Sequence, residues 1–343
     1  MATIIQPTPT LVGKEAKEFW KKIENYETYL KEKGISLSRK KIEKDAAFFK
    51  SLFKKEKNYA EPFRMKKEMR LLPGYLLLLL WIFFTVVLLG WVLIASFSTT
   101  KEIFANKLLS SGFHFENYEK AWVNSDVSTI FFNSLFYSLL SVCLLILVCA
   151  PAAYALSRFE FFGNKLMQHS FVASMGVPVV MIVLPLFALV AGLDILNNVT
   201  ANKLTLIFLY VGINVPYTTI FLMGFFANIS RAFEEAAAID GCPPGKTFWL
   251  IMLPMAQPGI ITVSIFNFIN VWNEYFISLI FGNSDKVRSV AVGLYSMINS
   301  MKYTGDWAGM FASVIIVFLP TFVLYLFLSE RIIAGVTGGG VKG

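Results

Sequence analysis

Residues 227–260 read ANISRAFEEAAAIDGCPPGKTFWLIMLPMAQPGI, a mixed stretch between two long apolar runs. Ser230 can cap a helix, and Glu234 and Glu235 then fall in its first turns, where carboxylates suit the helix dipole. Ala236, Ala237 and Ala238 are strong helix formers. Gly241 permits a left-handed turn, and Pro243 and Pro244 stop the helix from continuing. Phe248, Trp249, Ile251, Met252 and Leu253 make a second apolar stretch, which Pro254 is expected to end. The alanines leave a surface that another protein can approach closely, and Glu235 and Asp240 offer charge to basic side chains. The expectation is a docking knob of helix, sharp turn and helix, without a catalytic centre.

The run from Gly241 to Thr247 imitates a phosphate loop and fails the test. The true pattern has four residues between its glycine and its Gly-Lys pair; here there are three, Cys242, Pro243 and Pro244. The prolines lack the N–H groups that cradle phosphate, and no other phosphate loop is present. Any ATP chemistry, with its Mg, is therefore assigned to a partner, and this chain is expected to bind no cofactor and no metal and to be no enzyme itself.

Across the whole chain, 56% of the 343 residues are hydrophobic, 16% are charged and 33 are Phe. That excludes a disordered chain, a disulfide scaffold and an ordinary soluble enzyme, and implies a membrane. Three Cys and two His are too few and too scattered for a zinc site. Crossing a hydrocarbon core of about 30 Å takes about 20 residues. Segments near 73–95, 129–153, 169–191, 204–226, 259–281 and 307–329 qualify, which gives an all-α protein of six transmembrane helices with the docking loop between the fourth and fifth.

Charge orients them. Residues 1–72 carry 18 Lys and Arg against 10 Asp and Glu, and the remainder carries 13 of each. The basic residues before the first span, Arg64, Lys66, Lys67 and Arg70, place the N-terminus in the cytoplasm, and an even span count places the C-terminus there too. The division expected is a basic extension over 1–70, a six-helix transmembrane domain over 71–330 with its loop at 227–258, and a glycine-rich tail over 331–343. Within 14–58, Phe19, Ile23, Tyr26 and Leu30 share one helical face, and Ile42, Ala46, Phe49 and Phe53 another. Neither helix carries a nucleic-acid signature.

Polar groups at membrane depth must face a bundle interior or a cavity. Asn133, Asn214, Asn267, Asn270, Asn273 and Glu274 are such groups. Asn214, Asn270, Asn273 and Glu274 are candidates for a translocation pathway; interhelical hydrogen bonding is the competing explanation. Tyr210, Tyr217, Trp272 and Tyr275 are candidates for stacking on a transported solute. A secondary transporter using Glu274 as its ion carrier is the rival mechanism, although no internal repeat accompanies it. A membrane enzyme would need a cluster of His, Cys or paired carboxylates, which the spans lack.

The run Glu235-Ala236-Ala237, then Gly241, then Ile251-x-Leu253-Pro254 is similar, without a gap, to the EAA signature loop of importer-type ABC transporter permeases. Trp272-Asn273-Glu274 and the terminal Gly338-Gly339-Gly340-Val341-Lys342-Gly343 resemble the smaller permease of maltose-type carbohydrate systems. The resemblance covers residues 70–343 and implies the type I ABC importer fold in a prokaryotic cell membrane. It implies two ATPase subunits, a second permease, an extracytoplasmic solute-binding protein and a carbohydrate substrate. It assigns ATPase coupling to Glu235, Ala236, Ala237, Asp240, Gly241, Leu253 and Pro254, with Glu235 pairing to a basic residue of the ATPase. The tail, Gly338 to Lys342, would reach between the ATPases, and residues 282–306 would meet the binding protein.

Overall fold

A computed structural model describes residues 65–340 except Asn124, Asp194 and Asn283; for 65–70, 301, 302, 304 and 330–340 it describes the backbone alone. The helices expected within 14–58, and Val341 and Lys342 of the tail, lie outside these residues. The chain divides into two compact units at Trp81. The first is described over 65–81, the start of helix α1 (Met65–Ser96), where the side chains from Leu71 onward are exposed.

The second unit continues through α2 (Thr100–Phe104), α3 (Glu116–Val123), α4 (Val127–Arg158), α5 (Asn164–Ser174), α6 (Val179–Gly192) and α7 (Val199–Asn228). Then come α8 (Ala232–Ile239), α9 (Pro244–Thr247), a π-turn (Phe248–Met252), α10 (Leu253–Met255), α11 (Gln257–Trp272), α12 (Phe276–Phe281), α13 (Val290–Thr304) and α14 (Trp307–Gly340). Among the described residues there is no strand.

Four helices are long and apolar enough to cross a bilayer: α1 over Leu71–Ser96, α4, α7, and α14 over Trp307–Ser329. Two further helix pairs are apolar enough only when taken together, and both are sharply bent. Helices α5 and α6 meet at 95°, and the segment Pro244–Met255 meets α11 at 73°. The third expected span, 169–191, is therefore not one rod. Pro178 stands before α6 in extended geometry, and proline disfavours helix in the residue ahead of it. The fifth, 259–281, is also interrupted: α11 stops at Trp272, and a separate α12 follows.

Helix α4 is the spine. Ser134, Ser138, Ser141, Leu145, Cys149 and Ala153 recur every three or four residues and are buried, so its mostly small inner face lets α7 approach along its length. Two of the apolar clusters sit at opposite ends of this pair. One gathers Tyr137, Val190, Leu206, Tyr210, Ile277 and Phe281, and the other Tyr154, Leu222, Phe226, Phe248, Met252 and Val263. Side chains facing lipid have no water to escape, so shape and polar bonds decide the packing. Gly259 illustrates it: a Cβ there would overlap the Phe225 ring.

Candidate coupling site

Residues 232–239 form the expected short helix, α8, but Ser230 does not cap it as drawn from sequence. Arg231 takes the N-cap position without a side-chain bond, and Ser230 Oγ accepts the Ala232 N–H at 3.3 Å. The far end closes as a Schellman turn: the Cys242 N–H reaches the Ala237 carbonyl at 2.8 Å, and the Gly241 N–H reaches Ala238 at 3.1 Å. Gly241 has φ +74°, the left-handed region that side chains with a Cβ disfavour.

Pro254 does not end the second helix. Having no N–H, it cannot bond back to Leu250, and the turn ahead of it widens instead. The Leu253 N–H reaches five residues back to Phe248, and Pro254 becomes the middle residue of α10. The break comes at Ala256.

Helix α8 exposes nearly all its surface. Glu235, Ala236, Ala238 and Asp240 are exposed and Ile239 is 85% exposed, while Ala237 alone is buried. Eight residues are too few for a helix to persist by itself. Its anchor is Glu234. That carboxylate accepts the Tyr154 hydroxyl at 2.8 Å and faces Arg158 Nε at 3.6 Å. The Arg158 side chain is only 5% exposed, and it also donates to the Ile229 carbonyl. Tyr154 packs on Phe159, Phe226 and Phe248, with centroids 5.6, 5.6 and 5.1 Å away. Thus α8, the end of α7, the π-turn and the end of α4 meet at one charged, ring-lined node. Nothing in the sequence singles out Arg158. Its signal, a lone arginine closing a long apolar run, names no partner.

Elsewhere, Asn270 Nδ2 donates to Asn214 Oδ1 at 2.7 Å, and Asn267 Nδ2 to Thr218 Oγ1 at 2.9 Å, which ties α7 to α11. Asn273 is exposed and donates to the Ile269 carbonyl. Glu274 accepts the N–H groups of Ile277 (2.7 Å) and Ser278 (3.1 Å), so its carboxylate serves the start of α12. Of the stacking candidates, Tyr210 and Trp272 are buried in the core. Trp272 lies flat on Phe268 at 13°, and Tyr275 packs edge-on to Tyr295. Gly338, Gly339 and Gly340 continue α14.

Residues 146–336, which include the whole node and α8, match the family described as the binding-protein-dependent transport system inner membrane component. The chain is 32% identical over 267 residues to the diacetylchitobiose uptake system permease protein NgcG of Streptomyces coelicolor, covering 78% of this chain and 87% of that one. It is 31% identical over 255 residues to the sulfoquinovosyl glycerol transport system permease protein SmoH of Agrobacterium fabrum, covering 74% and 87%. In fold it is similar to the crystal structure of a bacterial ABC transporter involved in the import of the acidic polysaccharide alginate, with TM-score 0.64, 19% identity, and coverage of 78% of this chain and 97% of that chain. With more than half of its length matched, over residues 146–336, this chain is a member of the binding-protein-dependent transport system inner membrane components.

Proposed function

We propose that this chain is a permease subunit of an ATP-driven importer of a sugar or oligosaccharide in a prokaryotic cell membrane, with both termini cytoplasmic. Its partners would be a second permease, two ATPase subunits that hold the ATP and Mg, and an extracytoplasmic solute-binding protein. The observation that carries the reading is α8: an eight-residue helix, held along one edge and open on the rest. Such a helix suits insertion into a cleft of another subunit. Glu235 is the exposed anion for a basic residue there, and the exposed Ala236 lets the two backbones come close. Ala237 faces inward and serves the hold on this chain. Asp240, Gly241, Leu253 and Pro254 shape the turn and the bent segment after it.

The mechanism is mechanical. ATP closes the ATPase pair, the docked α8 moves with its subunit, and the attached helices tilt to turn the pathway outward. Hydrolysis resets it. Coupling of binding free energies is reciprocal, so a loaded binding protein favours the closed, ATP-bound pair from which hydrolysis proceeds. Asn214 and Asn270 hold α7 to α11 as one moving body. The exposed Asn273 is the pathway candidate that remains free to face a solute. Glu274 as an ion carrier is disfavoured, because its carboxylate is occupied at the start of α12.

The test is uptake into vesicles holding the assembled transporter and a binding protein. A thermal-shift panel of diacetylchitobiose, sulfoquinovosyl glycerol, trehalose and maltose selects the sugar. Glu235→Ala should insert and assemble normally yet lose uptake. Wild-type uptake by that variant would overturn the docking assignment.

A further inference from the structure

Helix α4 is gripped at both ends, by different elements. Its Arg158 end holds α8 through Glu234, as described above. Its other end holds the segment 284–290, which leads into α13. Asn133 Nδ2 donates to the carbonyls of Lys286 (3.0 Å) and Arg288 (3.1 Å), and the Tyr137 hydroxyl donates to Val287 at 2.7 Å. Ser134 Oγ accepts the Val290 N–H at 2.8 Å. Lys203 Nζ, from α7, donates to Asn133 Oδ1 at 2.6 Å and fixes that amide's orientation. Three side chains within little more than one turn of α4 therefore dictate where this stretch of backbone runs. Asp285 and Arg288 of the same stretch line a cavity of about 460 Å³ with Asp126 and Asp306.

We infer that α4 is the connecting rod of this subunit: it carries displacement of the docked α8 to residues 284–290 and so moves a wall of that cavity. Arg158, Tyr154 and Glu234 are positioning residues at one end, and Asn133, Ser134 and Tyr137 at the other. The inference rests on the docking of α8 proposed above. At about 1.5 Å per residue, Asn133 and Arg158 stand roughly 38 Å apart, more than the hydrocarbon thickness of about 30 Å. A single helix thus reaches both membrane faces. Apolar packing alone would let neighbouring helices slide. Directional bonds at each end do not, and a helix resists stretching between them.

The experiment uses the assembled transporter in nanodiscs and its binding protein loaded with the sugar chosen by the panel above. The readout is the stimulation of ATP hydrolysis by loaded binding protein. Tyr137→Phe removes one hydroxyl at the far end, and Glu234→Gln removes the charge at the near end. Each should lower stimulation about fivefold, the lower range of allosteric coupling. In Tyr137→Phe, subunit co-purification and unstimulated hydrolysis should be unchanged. Glu234→Asp should regain part of the loss. The double variant should fall no more than about twofold below the worse single one, because both cuts sever one linkage. Stimulation within twofold of wild type in either single variant, or losses that multiply, would overturn the rod. If Glu235→Ala in the same assay keeps full stimulation, the docking reading fails first, and that outcome is distinct.

Discussion

The two ends of α4 hold their partners by different chemistry. At the Asn133 end, side chains bind backbone: three carbonyl acceptors and one N–H donor over residues 286–290. At the Arg158 end the principal bonds run between side chains, a guanidinium, a phenol and a carboxylate. Bonds to backbone fix the path of a chain whatever its side chains are. An ion pair shielded from water fixes one orientation strongly, and it leaves a costly orphan when broken. The first arrangement suits a segment that must keep its course, and the second a helix that must turn as a unit with its neighbour.

Arg158→Ala should separate the two ends most clearly. It strands the Glu234 carboxylate against rings, with side-chain exposures of 5% and 20% marking the pair as shielded. The expected loss is about 3 kcal/mol, read as a fall in the thermal midpoint of detergent-purified protein and in the yield from membranes. A loss no larger than that of Tyr137→Phe would erase the contrast between the ends.

Gly241→Val comes next. The glycine's φ of +74° forces a β-branched side chain into the left-handed region at a cost of about 1–2 kcal/mol. Uptake should be lost through the turn itself, while Cys242→Ala, one residue on, should transport normally. Equal transport by both variants would show that the turn does not set the angle of α8.

At the opposite end, Asn133→Ala releases two carbonyls and the Lys203 ammonium from one amide. The cost should be about 1–2 kcal/mol. Faster hydrogen exchange confined to 284–290, with none at 232–239, is the expected signature. Matching exchange changes at both places would mean that the ends are not separately held.

What the sequence disclosed depended on whether a feature was local. The helix over 232–239 and the left-handed Gly241 rest on propensity and backbone sterics within a few residues, and both could be read from the string. The charge-free apolar run of α1 was equally plain. Glu274 was not, because a carboxylate inside an apolar run suggests a buried charge. Only the break after Trp272 turns it into the acceptor for Ile277 and Ser278. Pro254 misled for a related reason. Proline usually terminates a helix, and nothing nearby shows that a π-turn over 248–252 will absorb its missing donor. The Arg158–Glu234 pair spans 76 positions of sequence and required the fold. Asn214 and Asn270 were recognisable as membrane-depth amides, and only the packing of α7 on α11 shows that they bond to each other.

A slighter contrast lies in a carboxylate held by hydroxyls and backbone N–H groups. Glu102 accepts the Thr99 N–H at 2.8 Å and the hydroxyls of Ser110 and Ser111 at 2.6 Å each, which closes the turn after α1. These donors favour the ionised form and hold its pKa far below the usual carboxylate value, the Ser110 hydroxyl contributing most. A pKa depressed in the folded protein gives stability that is fully present above the unfolded value of about 4.5. That stability is lost as the pH falls below it. Glu102→Gln should therefore speed hydrogen exchange across 99–111 at pH 7, after correction for intrinsic rates, and the gap to wild type should narrow at pH 3.5. The rest of the chain should not respond. A gap that is equal at both pH values would show that the hydroxyls hold the side chain by geometry alone, without preference for its charge. Glu102 would then lose its contrast with Glu234, whose partner is an arginine.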